Sequence, residues 1–338
     1  MKRLSLILLL AATFAGAVRP QAAQQVSAPS PRHQARAFTP AKTPWGDPDL
    51  QGNYTNKYEY GTPFDRPKEF EGRRLEDVTP KELADAVKKR QEDALERAQF
   101  LGGDPEGKIG NSPEFRDIYE VSRGTRAWLV VDPPDGRIPP MKPDAPARTA
   151  RPGGSSFGTA VMNGPEDFSL WERCITRGFP GSMIPGVYGN SYQIVQGPGF
   201  VGIRYEMVHE TRIIRLDGAP HPGPHVHLDM GDARGHWEGN TLVVETTNFN
   251  QRSVYRNANT ATLRIVERFT PTARRTLEWS VTVDDPSTWT RPWTFSMPLT
   301  KNNAEAILVY ECHEGNHGVS AILSGARATE KTAGSSVR

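Results

Sequence analysis

From Tyr192 onward, apolar and polar residues alternate in short runs separated by turn residues. In "RTLEWSVTVDD", Leu277, Trp279, Val281 and Val283 share one face, and Glu278, Ser280 and Thr282 share the other. In "WTFSMPL", Phe295, Met297 and Leu299 oppose Thr294, Ser296 and Pro298. Further extended runs are "YQIVQ", "FVGIRYEMV", "TRIIRLDG", "GHWEGNTLVVETTNF", "ATLRIVERFT" and "AILVYEC". Period two in consecutive runs with short connections predicts strands with one buried and one wet face. So many strands curl, and closing the sheet removes its exposed edges. The expected fold is all-β: an antiparallel meander closing into a lipocalin-like barrel or half-barrel, with an N-terminal helical elaboration.

That elaboration rests on "TPKELADAVKKRQEDALERAQFLGG". Thr79 caps, Pro80 suits the first helical position and Glu82 completes a capping box. Leu83, Val87, Ala94, Ala98 and Leu101 recur at helical spacing, and Gly102-Gly103 ends the helix. Five segments follow. Residues 1–23 read as a secretory signal peptide: Lys2 and Arg3, an apolar run too short to span a bilayer, then small residues. Residues 24–42 are a Pro/Ser/Gln-rich flexible leader, and 43–165 an N-terminal wrap holding the helix at 79–101. Residues 166–328 form the β-barrel domain, and 329–338 a disordered tail.

Composition narrows the partners. Lys and Arg number 41 against 39 Asp and Glu, so nothing points to nucleic acid. After the signal peptide no segment is apolar enough to span a membrane, which predicts an exported, periplasmic or secreted protein with a small-molecule ligand or substrate. The two cysteines, Cys174 and Cys312, most simply form one disulfide in an oxidising compartment.

The segment "CHEGNHG" contains His-Glu-x-x-His, the spacing of zinc proteases. That chemistry needs His313 and His317 on one face of a continuous helix. Here Gly315 and Asn316 fill the intervening positions after the strand-like "AILVYEC", so the expected setting is a strand end and turn.

Taken together, "DLQGNY", "CITRGFPG", "NSYQIVQ", "EMVHETRIIRLDG", "GDARGHWEGNTLVVETTNF", "ERFT", "DDPSTWTRPW" and "CHEGNHG…ILSGAR" resemble a large group of exported, functionally unassigned proteins of soil and environmental bacteria. The resemblance covers most of the chain and implies export without implying a mechanism. It departs at His317, where the group has tyrosine, and around His225 and His227, histidines that the group lacks.

Three constellations carry candidate chemistry. In "RYEMVHETR", continued strand alternation places His209 beside Tyr205 and Met207 on a cavity-facing side, with Glu206 and Arg212 near. The alternative is a core-edge histidine among surface Glu–Arg pairs. Glu267 shares a face with Leu263, Ile265 and Phe269, and Glu311 with Ile307 and Val309. An inward acid either meets an arginine or has a raised pKa and a job. A Cys174–Cys312 disulfide would draw Arg173 and Arg177 toward His313 and Glu314 at the barrel mouth, as a binding cluster or a salt-bridged plug. Finally, His221, His225, His227 and His236 are metal-ligand candidates in "HPGPHVHLDMGDARGH".

The resulting expectation is an exported small-molecule enzyme using metal-independent acid–base chemistry, as a lyase, isomerase or hydrolase, with no cofactor. His209 and His313 move protons, Glu206, Glu314 or Glu267 orient them, and Arg173, Arg177 or Arg212 hold anionic substrate. The alternatives are a non-catalytic ligand-binding protein, or a zinc or copper protein using the His221–His236 loop.

Overall fold

Ten strands carry the fold in the computed structural model, which describes residues 38–101, 124–145, 162–186, 189–253 and 255–335. They are β1 (Gly52–Thr55), β2 (Val130–Asp132), β3 (Ser191–Gly197), β4 (Phe200–Tyr205) and β5 (Thr211–Arg215). The rest are β6 (Asp232–Glu238), β7 (Thr241–Thr247), β8 (Arg264–Ala273), β9 (Thr276–Asp284) and β10 (Trp293–Lys301). Nine of them close a barrel in the order β1-β3-β4-β5-β6-β7-β8-β9-β10, with β10 returning to β1 at Tyr54↔Lys301 and Thr55↔Thr300. Strand β2 pairs with β10 outside the ring.

The odd strand number has a consequence. Directions cannot alternate all the way around nine strands, so one neighbouring pair must be parallel. That pair is β5–β6, Ile214↔Ala233 and Arg215↔Arg234, whereas every other pairing is antiparallel. Parallel neighbours need a crossover rather than a tight turn. Residues 216–231, which hold His221, His225 and His227, are that crossover. Asn248 pins it, its side-chain amide donating to the Pro222, Gly223 and Val226 carbonyls at 3.3, 3.3 and 3.0 Å.

The alternation of β9 is realised as written: Leu277, Trp279, Val281 and Val283 are buried. Inside the barrel they meet Phe269, Phe295, Tyr192 and Tyr205, with Trp279 edge-on to Phe295 at 5.5 Å. In β10, Ser296 and Pro298 are buried as well, because β2 and the preceding residues cover that outer face; Ser296 N donates to the Leu129 carbonyl.

Two strand expectations are corrected. The run "AILVYEC" is not a strand: Leu308 and Val309 are 66% and 70% exposed, and Glu311 is exposed rather than inward. Both flanks of β10 are taken, by β9 and by β1, so a further strand has no edge to join. The closing place belongs instead to "GNYT" in the N-terminal wrap, so the barrel is not confined to residues 166–328.

Helix α1 (Pro80–Leu101) begins with the expected capping box: Glu82 N donates to Thr79 Oγ1 at 3.3 Å and Thr79 N to Glu82 Oε2 at 2.8 Å. Leu83 and Ala86 pack on Phe70 and Trp128, and Arg90 reaches the Ala127 carbonyl at 2.6 Å. A short helix α2 (Cys312–Gly315) precedes α3 (His317–Ser335). Helix α3 runs through residues read as a disordered tail; Arg327 anchors it by donating to the Met162 and Asn163 carbonyls and pairing with Glu330. Among the described residues no helix is long and apolar enough to cross a membrane. The signal peptide, most of the leader, the Gly102-Gly103 helix stop and much of 103–165 lie outside the described residues.

Candidate functional site

Strand directions give the barrel two ends. One end carries the β3–β4, β6–β7 and β8–β9 hairpins. The other carries the β4–β5, β7–β8 and β9–β10 connections, and it is closed by the segment 174–186 acting as a plug. Phe179 and Met183 of the plug are buried in the core, and the Met183 carbonyl accepts from Asn56 Nδ2 at 2.7 Å. The predicted disulfide Cys174–Cys312 is present, with Cα atoms 5.7 Å apart, and ties the plug to α2. Asn316 reinforces the tie by donating to the Glu172 carbonyl at 2.7 Å.

Behind the plug lies a buried ionic cluster. Arg212 and Glu267, both expected from sequence, form an ion pair with side chains 2% and 0% exposed. Arg212 Nη2 also donates to Thr246 Oγ1 at 2.9 Å, and Trp279 Nε1 donates to the other Glu267 oxygen at 2.9 Å. The guanidinium lies 3.9 Å from the Phe179 ring centre, so the plug packs directly on the charge. Of the two outcomes open to an inward acid, Glu267 takes the paired one. The buried Tyr205 hydroxyl lies against the Arg212 guanidinium and completes the cluster. Burial pushes the Tyr205 phenol up, against the pull of Arg212, so it stays protonated at neutral pH.

Glu210 lies half-buried just before β5, near Tyr205. The strand ends at Tyr205 and a tight turn over Met207–His209 follows, with Val208 at φ 61° and His209 at φ 37°. This turn breaks the alternation. Met207 and Val208 go inward, His209 becomes exposed, and Glu210 moves in where the histidine was expected. Thr176 Oγ1 donates to Glu210 Oε2 at 2.8 Å, and Ser182 and Met230 lie beside it. Burial raises the Glu210 pKa to about 7, helped by the Asp229 charge and opposed by the Thr176 and Ser182 hydroxyls. No periodicity could have marked Glu210, since its orientation depends on two left-handed residues just before it.

The remaining candidates are dispersed. Glu206 is half-buried, with its backbone N donating to the Ser191 carbonyl. Arg177 lies over the Trp171 ring at 5.3 Å, Arg173 is half-buried, and His313 and Glu314 are exposed. His313 and Glu314 thus stay on the surface of the region that the disulfide ties down. His313 and Glu314 sit on a helical turn rather than a strand end, yet Asn316 at φ −80°, ψ 57° breaks the helix before His317. His-Glu-x-x-His thus lacks the continuous helix that convergence requires.

The four loop histidines are not gathered. His221 Nδ1 contacts Asp232 Oδ2 at 2.7 Å and its Nε2 lies 3.4 Å from Glu245; His236 faces Glu238 at 3.3 Å. His225 and His227 are exposed on the crossover. Among the described residues, no three His, Cys, Asp or Glu side chains form a group able to hold a metal ion.

Among the described residues, two of the surface clefts are well formed. One of about 480 Å³ lies beside the disulfide, walled by Phe168, Trp171, Tyr310 and Ile322. The other, about 710 Å³, lies at the hairpin end. In comparisons with protein-family models, curated proteins and solved structures, nothing matches the chain.

Proposed function

We propose that the protein is an exported enzyme, of the bacterial group its motifs resemble, that acts on a small organic molecule at the plugged end of the barrel. Glu210 exchanges the proton. The observation that carries this reading is a half-buried carboxylate held by the Thr176 hydroxyl beside the buried Tyr205 phenol, and burial raises its pKa to about 7. As the carboxylate it takes a proton from a substrate carbon, hydroxyl or water; as the acid it returns one. Thr176 and Ser182 position the carboxylate. The reaction class remains lyase, isomerase or hydrolase, with the histidines replaced by a single carboxylate. A carrier of internal cargo fits less well, since Trp279, Phe269, Phe295 and Tyr192 fill the barrel.

Carboxyl-carbon NMR titration, with Glu210→Gln to assign the signal, tests the central claim. A midpoint near 7 is expected; one in the ordinary glutamate range would remove the basis for proton transfer at neutral pH. Turnover is then sought among esters, lactones and carbon acids, with Glu210→Gln as the control that abolishes it.

A further inference from the structure

The hairpin end of the barrel carries a cationic cleft that the proposed chemistry does not use. Strand β8 ends at Ala273 and β9 begins at Thr276, so Arg274 and Arg275 are the whole connection. Two-residue hairpin connections favour Gly, Asn and Asp because the usual turns need positive φ. Here a register shift between Pro271 and Ala273 relieves that demand, and neither arginine has positive φ. Turn geometry therefore does not account for two arginines at this tip.

Both line the cleft of about 710 Å³, together with Lys301 at the end of β10. Lys301 Nζ donates to the Gln51 carbonyl and sits 5.7 Å from the Tyr54 ring centre. Arg275 Nε donates to the Lys301 carbonyl at 3.1 Å, which holds its side chain beside Lys301. Among the described residues none of the three cations pairs with a carboxylate, and Arg274 makes no side-chain bond at all. Several other exposed arginines are matched: Arg215 with Asp217, Arg252 with Asp229, Arg264 with Glu245 and Arg268 with Glu238. The acid on the cleft wall, Asp49, accepts from Gln51 N at 2.9 Å. The floor is apolar, formed by Leu50, Tyr54 and Leu277.

We infer that this cleft binds a small organic anion carrying two negative charges, its oxygens held by Arg274, Arg275 and Lys301 and its apolar body resting on Tyr54 and Leu277. Planar guanidinium forks match carboxylate and phosphate oxygens two at a time. The shared chemistry is an organic dianion, either a dicarboxylate or a phosphate monoester. The site lies at the opposite end of the barrel from Glu210, so the two stand or fall separately.

Calorimetric titration of the full chain with succinate, phthalate, phenyl phosphate and inorganic phosphate, with benzamide as the neutral control, tests the inference. At least one organic dianion is expected to bind with Kd of about 1 mM or tighter. Comparing phthalate with phenyl phosphate tells dicarboxylate from phosphate ester. Affinity is expected to fall about tenfold or more in Arg274→Gln/Arg275→Gln, and to weaken as salt is raised. Amide shifts on binding are expected at Tyr54, Arg275 and Leu277 and not at Glu210. Three results overturn the inference: no organic dianion bound at about 10 mM, unchanged affinity in a folded double variant, or inorganic phosphate binding as tightly as the organic anions, which means an adventitious ion only.

Discussion

Behind the plug of the barrel, an arginine and a glutamate are paired and withdrawn from water; on the β8–β9 hairpin, two arginines face water without an ion pair. Arg212 and Glu267 are almost wholly enclosed and bonded to each other, to Thr246 and to Trp279. Among the described residues, Arg274 and Arg275 are exposed on a tight turn and form no ion pair, although Asp49 lines the same cleft. Buried charge loses hydration and needs its partner, so breaking the pair is costly. Exposed charge keeps its water and contributes little to stability, which leaves it available to a ligand. One end therefore spends its charges on holding shape, and the other keeps them free for contact.

The largest expected effect comes from breaking the buried pair. Arg212→Met leaves Glu267 enclosed without a partner and is expected to cost about 3–5 kcal/mol in urea unfolding. Replacing Glu267 with leucine as well restores most of that loss. A single substitution with no measurable cost would erase the contrast between the ends.

Next comes the staple. Changing Cys174 and Cys312 to serine opens a loop of 138 residues and is expected to remove about 2–4 kcal/mol. Hydrogen exchange locates the effect: amides of the plug at 175–186 lose protection, while those of β8 and β9 keep theirs.

Glu210 supplies a smaller effect with a definite sign. Its folded pKa of about 7 lies above the ordinary glutamate value of 4.5, so between the two the folded state binds a proton that the unfolded state has released. Stability from this group is full below pH 4.5, falls as pH rises toward 7, and stays low above. Glu210→Gln removes the penalty and is expected to stabilise the protein at pH 8 by roughly 2–3 kcal/mol, with little change at pH 4. Unfolding curves at both pH values check it; equal effects at both would mean that Glu210 titrates normally.

The smallest effect belongs to the hairpin end. Arg274→Gln/Arg275→Gln is expected to shift stability by no more than about 0.5 kcal/mol. A larger loss would mean that the arginines serve the turn itself.

The sequence by itself determined the architecture wherever one face of a strand is buried. Alternation in β9 and β10 specified which residues point inward, and the same count placed Glu267 inside among Leu263, Ile265 and Phe269. The capping box at Thr79 and Glu82 and the Cys174–Cys312 pairing were legible for the same kind of reason: few residues, with strong local or covalent rules. Only the tertiary structure decided which segment closes the ring. "AILVYEC" has the stronger strand pattern, yet "GNYT" takes the place, pairing with both β3 and β10 and leaving β10 no free edge. The tertiary structure also decided that Glu210 rather than His209 faces the buried cluster. Two left-handed residues reset the alternation there, and side-chain periodicity carries no record of a turn that a neighbouring plug holds in place.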